Sequence, residues 1–418
     1  MTRADVTATP VEVDVDAAVR WTVAHADAGS QWWRAHFERA GIDAASITGV
    51  ADLTHLPFST KQDLRDSYPL GWAAVPESAL VRIHASSGTT GKRTVCGYTA
   101  KDVEDWAVQF ARCFEMAGVT AADRVQVMVG YGLWTAGVGF QAGAERLGSL
   151  VVPTGPGNLE LQLEMMIDLQ STVLCATSSF ALLIAEAVEA RGLGGSLAAR
   201  IGVFGSERWG SKMRQRIESL LGVESFDIYG LTELYGPGVG IECSEHEGMH
   251  YWSDYFLIEV VDPETGEAVA PGEEGEIVVT TLRKEGIPLI RYRTRDLSRL
   301  YTEPCRCGSP YPRLAQLTGR TDDMVKVKGV AVFPAQVDTI LHRVEGVGPE
   351  YQLHVRRDST HGDVLLVRVE ADDRPGLRDA LVQQLREGLS VRPEVELVPH
   401  GELPRTERKT RRVFDHRE

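Results

Sequence analysis

Apolar residues recur at every third or fourth position through DVEDWAVQFARCFEMAG (102–118) and then run almost unbroken through DRVQVMVGY (123–131). The first spacing predicts a helix with one buried face, and the second a buried strand beginning near Val125. The alternation continues downstream. A small-residue helix around Thr135 to Leu147 leads to a short strand in SLVVP, and a helix after Asn158 leads to strand TVLCA. A helix from Ser179 leads to strand RIGVF, and a helix over Glu207 to Leu221 leads to strand ESFDI. Strands joined through helices by short connections predict an α/β fold, a mostly parallel sheet covered by helices on both faces with right-handed crossovers.

From Tyr251 the texture changes. YFLIEVVD, GEIVVTT and PLIRYRT are rich in β-formers and are separated by PETG and PGEEG turns, which predicts a strand-rich lobe. The last stretch reads strand (MVKVKGVAVF), helix (Pro334 to Val344), strand (YQLHVRR), strand (DVLLVRVEA), helix (Arg374 to Leu389) and strand (EVELVPH). That order is the split β-α-β-β-α-β unit, with Pro334 at the first helical position. The boundary falls at Arg320 to Asp323, giving a large multi-lobed N-terminal domain over 1–320 and a small mobile C-terminal α+β domain over 321–418. No fixed-period repeat interrupts this plan.

A chain of 418 residues exceeds the size at which one core usually keeps growing, which agrees with two domains. Its 44 basic and 59 acidic residues give a formal charge of −15, which repels nucleic-acid backbones and anionic lipid. The opening MTRADVTATPVEVDVDAAV lacks a basic-then-apolar signal pattern, and no apolar run approaches the ~18 residues of a bilayer span. A soluble cytoplasmic protein is expected, with neither nucleic acid nor membrane as partner. Six cysteines in so long a chain do not make a secreted disulfide scaffold. Cys96, Cys113 and Cys175 lie in apolar runs and read as small core residues.

Between the strand-like VRIHA and TVCGYT lies Ala85-Ser86-Ser87-Gly88-Thr89-Thr90-Gly91-Lys92. Its glycines let the backbone close on a ligand, while four hydroxyls and successive N–H groups offer donors to phosphate oxygens. It is not a Walker A loop, because two residues rather than four separate Gly88 from Gly91-Lys92 and no helix clearly follows. The plainer use of such a loop is a hairpin turn. Tyr229-Gly230-Leu231-Thr232-Glu233 falls at the carboxyl end of strand ESFDI, where open α/β sheets bind ligands. Tyr292-Arg293-Thr294-Arg295-Asp296-Leu297, Gly319-Arg320-Thr321-Asp322-Asp323 and the tail LPRTERKTRR follow in turn. Each alone reads as a salt-bridged turn or a solvated tail.

Taken in order, a phosphate loop, Y-G-x-T-E, Y-R-T-x-D, G-R-x-D-D and a carboxyl-terminal lysine resemble the adenylate-forming superfamily. Within it the chain most resembles the phenylacetate–coenzyme A ligase family, through SSGTTGK, YGLWTAGVGFQAGAERLG, DIYGLTE, GPGV…EC, IRYRTRDL, GRTDDMVKVKGVAVFP and LPRTE…K, from about residue 50 to the end. The resemblance implies that Ser86, Ser87, Gly88, Thr89, Thr90, Gly91 and Lys92 wrap the ATP phosphates. It implies that Gly205, Ser206, Glu207 and Tyr229 frame adenine, with Asp227 and Gly230 in the same nucleotide set, and that Asp296 takes the ribose hydroxyls. Glu233 would hold Mg²⁺ with Thr232 beside it, and Arg320 would contact the nucleotide. Asp322 would be the hinge, Lys328 and Gly329 the thiol face, and Lys409 the catalytic lysine. One residue departs from the pattern: Arg408 stands where a glycine usually precedes that lysine. The acid pocket would lie beside the YGL and GPG segments, among Tyr131, Trp134, Thr135, Ala136, Phe140, Gly236, Pro237 and Gly238. Aromatic walls suit an aryl acid, while Trp134 and Phe140 merely packing a helix on the sheet is the plain alternative.

His246-Glu247-Gly248-Met249-His250 is a literal H-E-x-x-H, which on a helix binds zinc in a peptidase. GPGVGIECSE before it, Gly248 inside it and YWSDYFLIEVV after it argue against a helix there. A structural use is a tetrahedral Cys₃His zinc site from Cys243, His250, Cys305 and Cys307, the alternative being four unrelated residues.

These readings converge on an ATP- and Mg²⁺-dependent ligase that turns an aromatic acid into an acyl-adenylate and passes it to coenzyme A, with structural Zn²⁺. The alternative acceptor is an acyl carrier protein, an amine or a hydroxyl in natural-product assembly. A nucleotide-sensing module without turnover is a third reading, opposed by intact Glu233, Asp296 and Lys409. A homodimer is left open.

Overall fold

A computed structural model describes residues 13–86, 92–207, 209–358, 362–405 and 411–417. The chain divides into two compact units. The first holds the residues up to Cys175, with Ala198–Val203 and Phe226–Gln316; the second holds Ala176–Leu197, Phe204–Ser225 and the residues from Leu317 on. No helix among the described residues is long and apolar enough to cross a membrane.

The largest sheet has eight strands, in the order Arg313–Leu314, Met249–Tyr251, Gly236–Glu242, Glu224–Leu231, Ile201–Gly205, Val173–Thr177, Arg124–Val127, Leu150–Val152. Arg124–Val127 pairs in parallel with both Leu150–Val152 and Val173–Thr177, as the alternation predicts. Val125, Val127, Val173, Leu174 and Cys175 are all buried, the continuous apolar run expected of strands covered on both faces. From Glu224–Leu231 through Gly236–Glu242 and Met249–Tyr251 to Arg313–Leu314 the pairing turns antiparallel.

Helix Ala100–Met116 begins at a capping box in which the Thr99 hydroxyl and the Asp102 carboxylate each accept the other's backbone N–H. Its buried face carries Trp106, Phe110, Cys113 and Phe114 at helical spacing and packs on helix Ala136–Leu147. The glycines of that partner are required by the contact. A Cβ on Gly139 would come 2.4 Å from the Trp106 ring, and one on Gly143 2.4 Å from Phe110 Cβ. The strand-rich lobe is the antiparallel set Phe256–Val261, Gly275–Thr281 and Tyr292–Ser298. Its last strand starts later than PLIRYRT suggested, because Pro288 has no ladder N–H and Arg291 sits at φ 45°.

In the second unit the helix expected from Glu207 begins at Ser211. Ser206 has turned into the left-handed region at φ 72°, which stops a helix from starting there. The C-terminal region keeps its α+β character with two changes. MVKVKGVAVF is not a single strand but a hairpin, Val325–Val327 with Val330–Val332, turned by Lys328 and Gly329 at φ 51° and 81°. The four-stranded sheet runs Glu394–Val398, Asp363–Ala371, Val347–Arg357, Val413–Asp415, so the strand beside Val347–Arg357 comes from the tail. Helices Pro334–His342 and Leu377–Leu389 contribute to its core, the latter through Leu377, Leu381, Leu385 and Leu389. At about 1.5–3 kcal/mol per fully buried leucine, that stripe is the main reason the helix forms where it does.

Candidate functional site

In the first unit Arg82–Ser86 and Thr94–Tyr98 pair antiparallel and bracket the Gly/Thr loop. Ser87, Gly88, Thr89, Thr90 and Gly91 lie outside the described residues. At the loop's near edge the Ser86 hydroxyl is buried without a hydrogen-bond partner among the described residues, and at its far edge Lys92 Nζ stands 5.4 Å over the Tyr68 ring.

Strand Glu224–Leu231 delivers Tyr229 and Gly230, then the chain turns through Thr232 and Glu233. Four backbone carbonyls of that turn are gripped from one side. The Tyr98 hydroxyl lies 3.1 Å from the carbonyl of Thr232 and 3.0 Å from that of Tyr235. Lys284 donates to the carbonyl of Glu233 at 2.9 Å and to that of Leu234. This ammonium is fully buried, with the Tyr98 and Tyr235 rings 4.8 and 4.7 Å from it. Burial pushes its pKa down, while Cys96, Asp102 and Glu233 push it back up. The Glu233 side chain is buried too, and its Oε1 lies 2.8 Å from Lys61 Nζ. Lys61 opens helix Lys61–Asp66, fixed by a Thr60/Asp63 capping box. A carboxylate held this way fits a Mg²⁺ ligand, since that ion takes one or two carboxylates and fills its shell with phosphate oxygens and water. The Tyr229 hydroxyl donates to Asp296 Oδ2 at 2.8 Å, so two expected nucleotide residues meet although 67 positions separate them. Asp227 donates its backbone N–H to Glu242 at 2.9 Å.

Tyr131, Trp134, Thr135 and Ala136 lead into helix Ala136–Leu147. The Tyr131 hydroxyl is buried without a partner, and burial raises its pKa to about 12, so the phenol is neutral. Gly236, at φ 120°, passes so close to Thr135 and Trp106 that a Cβ would meet each within 3 Å. Trp106 Nε1 donates to the Pro237 carbonyl at 2.9 Å, and Gly238 lies against Phe110. Phe140 is not gathered here. It packs on Phe110 and Phe114 at 4.8 and 6.2 Å, in the core between two helices.

The H-E-x-x-H run is no helix: His246 sits at φ 52°, Gly248 at φ 83°, and Met249–Tyr251 is a strand. Its two histidines face different partners, which removes the peptidase reading. The Cys₃His grouping is brought together instead. Candidate ligand atoms of Cys243, His250, Cys305 and Cys307 all lie within 4.8 Å of one another. Cys243 Sγ is 3.6 Å from Cys305 Sγ, and Cys307 Sγ is 3.3 Å from His250 Nε2. A zinc tetrahedron with ~2.3 Å Zn–S bonds has edges near 3.8 Å, so the group fits with little movement. His250 Nδ1 is engaged with the Tyr311 carbonyl at 2.7 Å, which leaves Nε2 as the ligand atom. Burial lowers the pKa of His250, favouring the neutral ring that ligation requires.

In the second unit Gly205 ends its strand, and Glu207 Oε1 accepts the N–H of Ser179 at 2.8 Å, a carboxylate at the start of helix Ser178–Ala190. Arg320 pairs with Asp322 at 2.9 Å, and the backbone N–H of Lys328 binds Asp363 at 3.0 Å. Lys409 and Arg408 lie outside the described residues. Sequence reasoning missed Lys61 and Lys284. For Lys61 the signal was present, a T-x-x-D capping box that puts a lysine at the first helical position.

The family model for AMP-binding enzymes matches residues 72–282, and that for the AMP-binding enzyme C-terminal domain matches 329–417. The phenylacetate-coenzyme A ligase of Escherichia coli (strain K12) is 42% identical, over 96% of this chain and 93% of its own. That of Pseudomonas putida is 40% identical, over 96% and 92%. Among solved structures, 2-hydroxyisobutyryl-CoA ligase in its postadenylation state superposes with a TM-score of 0.88 at 27% identity, covering 96% of this chain and 89% of that one.

Proposed function

The chain belongs to the phenylacetate–coenzyme A ligase family of AMP-binding enzymes and is an AMP-forming acid–coenzyme A ligase; from that premise we propose an aromatic carboxylic acid as its substrate and a role for each residue of the site. The acid's carboxylate oxygen attacks the α-phosphorus of ATP, the bond to pyrophosphate breaks, and an acyl-adenylate remains. The thiol of coenzyme A, giving up its proton, then attacks the acyl carbon and AMP leaves. The observation that carries the residue assignment is the turn over Thr232 to Tyr235, whose carbonyls are held by Tyr98 and Lys284 so that the Glu233 carboxylate has a fixed place.

Bound by Glu233, Mg²⁺ supplies charge neutralisation at the phosphates. Ser86 to Lys92 donate to the departing pyrophosphate, Gly205, Ser206, Glu207 and Tyr229 frame adenine, and Asp296, oriented by Tyr229, takes the ribose hydroxyls. Tyr131, Trp134, Thr135, Ala136 and Gly236 to Gly238 line the acid pocket, the neutral Tyr131 hydroxyl being a free donor within it. Phe140 supports that wall from behind. Residues 321–418 act as a small mobile domain that presents Lys409 for adenylation, then turns about Asp322 to bring Lys328 and Gly329 to the thiol step. Cys243, His250, Cys305 and Cys307 hold one structural zinc that pins strand Met249–Tyr251 to the C-x-C-G turn and touches no substrate.

The test is acid-dependent ATP–pyrophosphate exchange over benzoates, phenylacetates and hydroxyanthranilates, with products identified by mass spectrometry with and without coenzyme A. Exchange with aliphatic acids alone would overturn the aryl assignment.

A further inference from the structure

Side chains of strand Arg82–Ser86 alternate between its two faces, so Arg82, His84 and Ser86 share one. Ile83, on the other face, is 48% exposed. On the shared face His84 is buried, at 2% exposure, and neither of its ring nitrogens has a hydrogen-bond partner among the described residues. A neutral imidazole carries one N–H and one lone pair, so a donor is present there in either tautomer. Burial keeps the ring neutral by pushing its pKa below the ordinary value, and the charge of Arg82 acts the same way. The carbonyls of Leu133 and Gly132 oppose this from nearby without completing a hydrogen bond.

The ring's neighbours belong to both segments assigned to the acid. Its centroid lies 5.5 Å from that of Trp106, edge-on, and Trp106 donates to the Pro237 carbonyl at 2.9 Å. The same indole lies so close to Gly236 that a Cβ there would come 2.8 Å from it. On the other side the N–H of Ala85 donates to the carbonyl of Leu133, two residues after Tyr131, at 2.7 Å. A third neighbour is Tyr98, edge-on at 5.3 Å, whose hydroxyl meets the Thr232 and Tyr235 carbonyls of the turn that carries Glu233. Ser86, where the phosphate loop begins, is one pleat further along, about 7 Å away. Opposite Ser86 in the ladder, Thr94 is fully buried and its hydroxyl too has no partner among the described residues. An acid in this pocket must bring its carboxylate to the phosphate side, which is the side His84 occupies. Buried polar atoms left unpaired destabilise a fold and are tolerated where a ligand takes them up.

We propose that His84 is a catalytic residue that binds the acid's carboxylate: its ring N–H donates to the oxygen that does not attack, which leaves the other aimed at the α-phosphorus. The bound oxygen becomes the carbonyl oxygen of the acyl-adenylate, and no proton is transferred. The proposal rests on the acid pocket as placed above. It concerns the carboxylate, which every acid shares, rather than the ring.

His84→Phe keeps a ring edge-on to Tyr98 and Trp106 and removes the N–H, while His84→Gln removes the ring and keeps an N–H of similar reach. A residue that only packs is replaced better by Phe, a donor better by Gln. Acid-dependent ATP–pyrophosphate exchange is measured in the full chain for both variants, over acid and ATP concentration, with the thermal midpoint of each sample. In His84→Phe the KM for the acid is expected to rise roughly tenfold, the effect of losing one hydrogen bond to a charged group, with KM for ATP near the wild-type value. His84→Gln should recover most of that loss. A wild-type acid KM in His84→Phe, a larger loss in His84→Gln than in His84→Phe, or an equal rise in both KM values overturns the proposal. Should either variant not fold, His84→Ala with added imidazole replaces it: recovery of the acid KM supports the donor, and failure to recover overturns it. Wild-type exchange with aliphatic acids alone, with Gln still better than Phe, would reject the aryl reading and keep the carboxylate contact.

Discussion

Lys61 Nζ lies 2.8 Å from Glu233 Oε1, an ion pair in which the carboxylate is buried and the ammonium stem is about one-third exposed. Buried carboxylates are normally paired, and this one faces the end of strand Glu224–Leu231 rather than the core of a helix pair. Glu233 is therefore held by Lys61 at the place where open α/β sheets take their ligands.

Glu233→Ala should lower Mg²⁺-dependent turnover on the order of a hundredfold or more, as loss of a contact that neutralises developing charge commonly does. The fold should survive, because the turn is held by its carbonyls and not by this side chain. Pyrophosphate exchange against Mg²⁺ concentration, with circular dichroism of the same sample, checks both halves. Retention of most activity would remove the metal role.

Lys284→Met separates positioning from stability. Removing the ammonium removes its desolvation cost, but leaving a buried acceptor without its donor costs about 1–3 kcal/mol, so some loss of stability is expected. The carbonyls of Glu233 and Leu234 lose their donor, so the turn loosens and exchange should fall on the order of tenfold. The expected result is a modest fall in thermal midpoint with a loss of rate per folded molecule larger than that fall accounts for. A large loss of stability without a specific loss of rate would make Lys284 a core residue only.

Much of this site was legible in the sequence, for a physical reason. Motifs such as Y-G-x-T-E and Y-R-T-x-D keep their residues adjacent in the chain, so their spacing survives folding. Tyr229 and Asp296 were each marked that way, and their 2.8 Å contact joins two motifs already suspected. Lys61 and Lys284 were not marked, because a single lysine in a polar stretch reads as a solvated charge until the tertiary fold buries its partners. In the fold, helix–strand alternation was carried by apolar periodicity. The tail strand Val413–Asp415 was hidden because its basic neighbours read as a solvated end, and the strand only forms by lying along Val347–Arg357. The MVKVKGVAVF run concealed a turn, since β-branched residues flank Lys328-Gly329 on both sides.

One zinc per chain is expected in freshly purified protein, and Cys243→Ser should remove it. A closed four-ligand zinc site would contribute folding free energy directly, so its loss should cost on the order of several kcal/mol of stability. Exchange activity per folded molecule should change little. Elemental analysis with no zinc would remove the idea, and a substrate-dependent change in the metal's coordination would show that the site is not merely structural.

Glu115 gives a pH-dependent term of definite sign. Burial raises its pKa from the ordinary 4.5 to about 7, with Arg112 pulling the other way, and Oε2 has no hydrogen-bond partner. Between those values the unfolded chain has released the proton while the folded one keeps it, so stability falls as pH rises from about 4.5 through about 7. Glu115→Gln removes the term. Its gain over wild type in unfolding free energy, from denaturant titration, should be small at pH 5 and reach on the order of 1 kcal/mol at pH 8, reduced from the full linkage value because the group is only partly buried. An equal gain at both pH values would show that the carboxylate does not titrate in this range.

Lys409 supplies the sharpest test of the two-step reading. Lys409 lies outside the described residues; before that stretch Arg405 pairs with Glu370 and Glu186, and after it Arg412 pairs with Glu350, three charged contacts in all. In the proposed reading the Lys409 ammonium would act where negative charge builds between the attacking carboxylate and the α-phosphate, an interaction strongest in the transition state. Its removal should therefore lower the adenylation rate on the order of a hundredfold or more while weakening ATP binding little. Thioester formation breaks a different bond, the acyl–phosphate link, and if the C-terminal region turns between the steps as proposed, Lys409→Ala should leave it far less affected. Single-turnover rates from ATP and acid, set against rates from a synthetic acyl-adenylate, separate the two. Equal damage to both would refute the alternation of one pocket between two chemistries, and damage to neither would mean that the catalytic cation is another residue, with Lys326 and Lys328 the next to test.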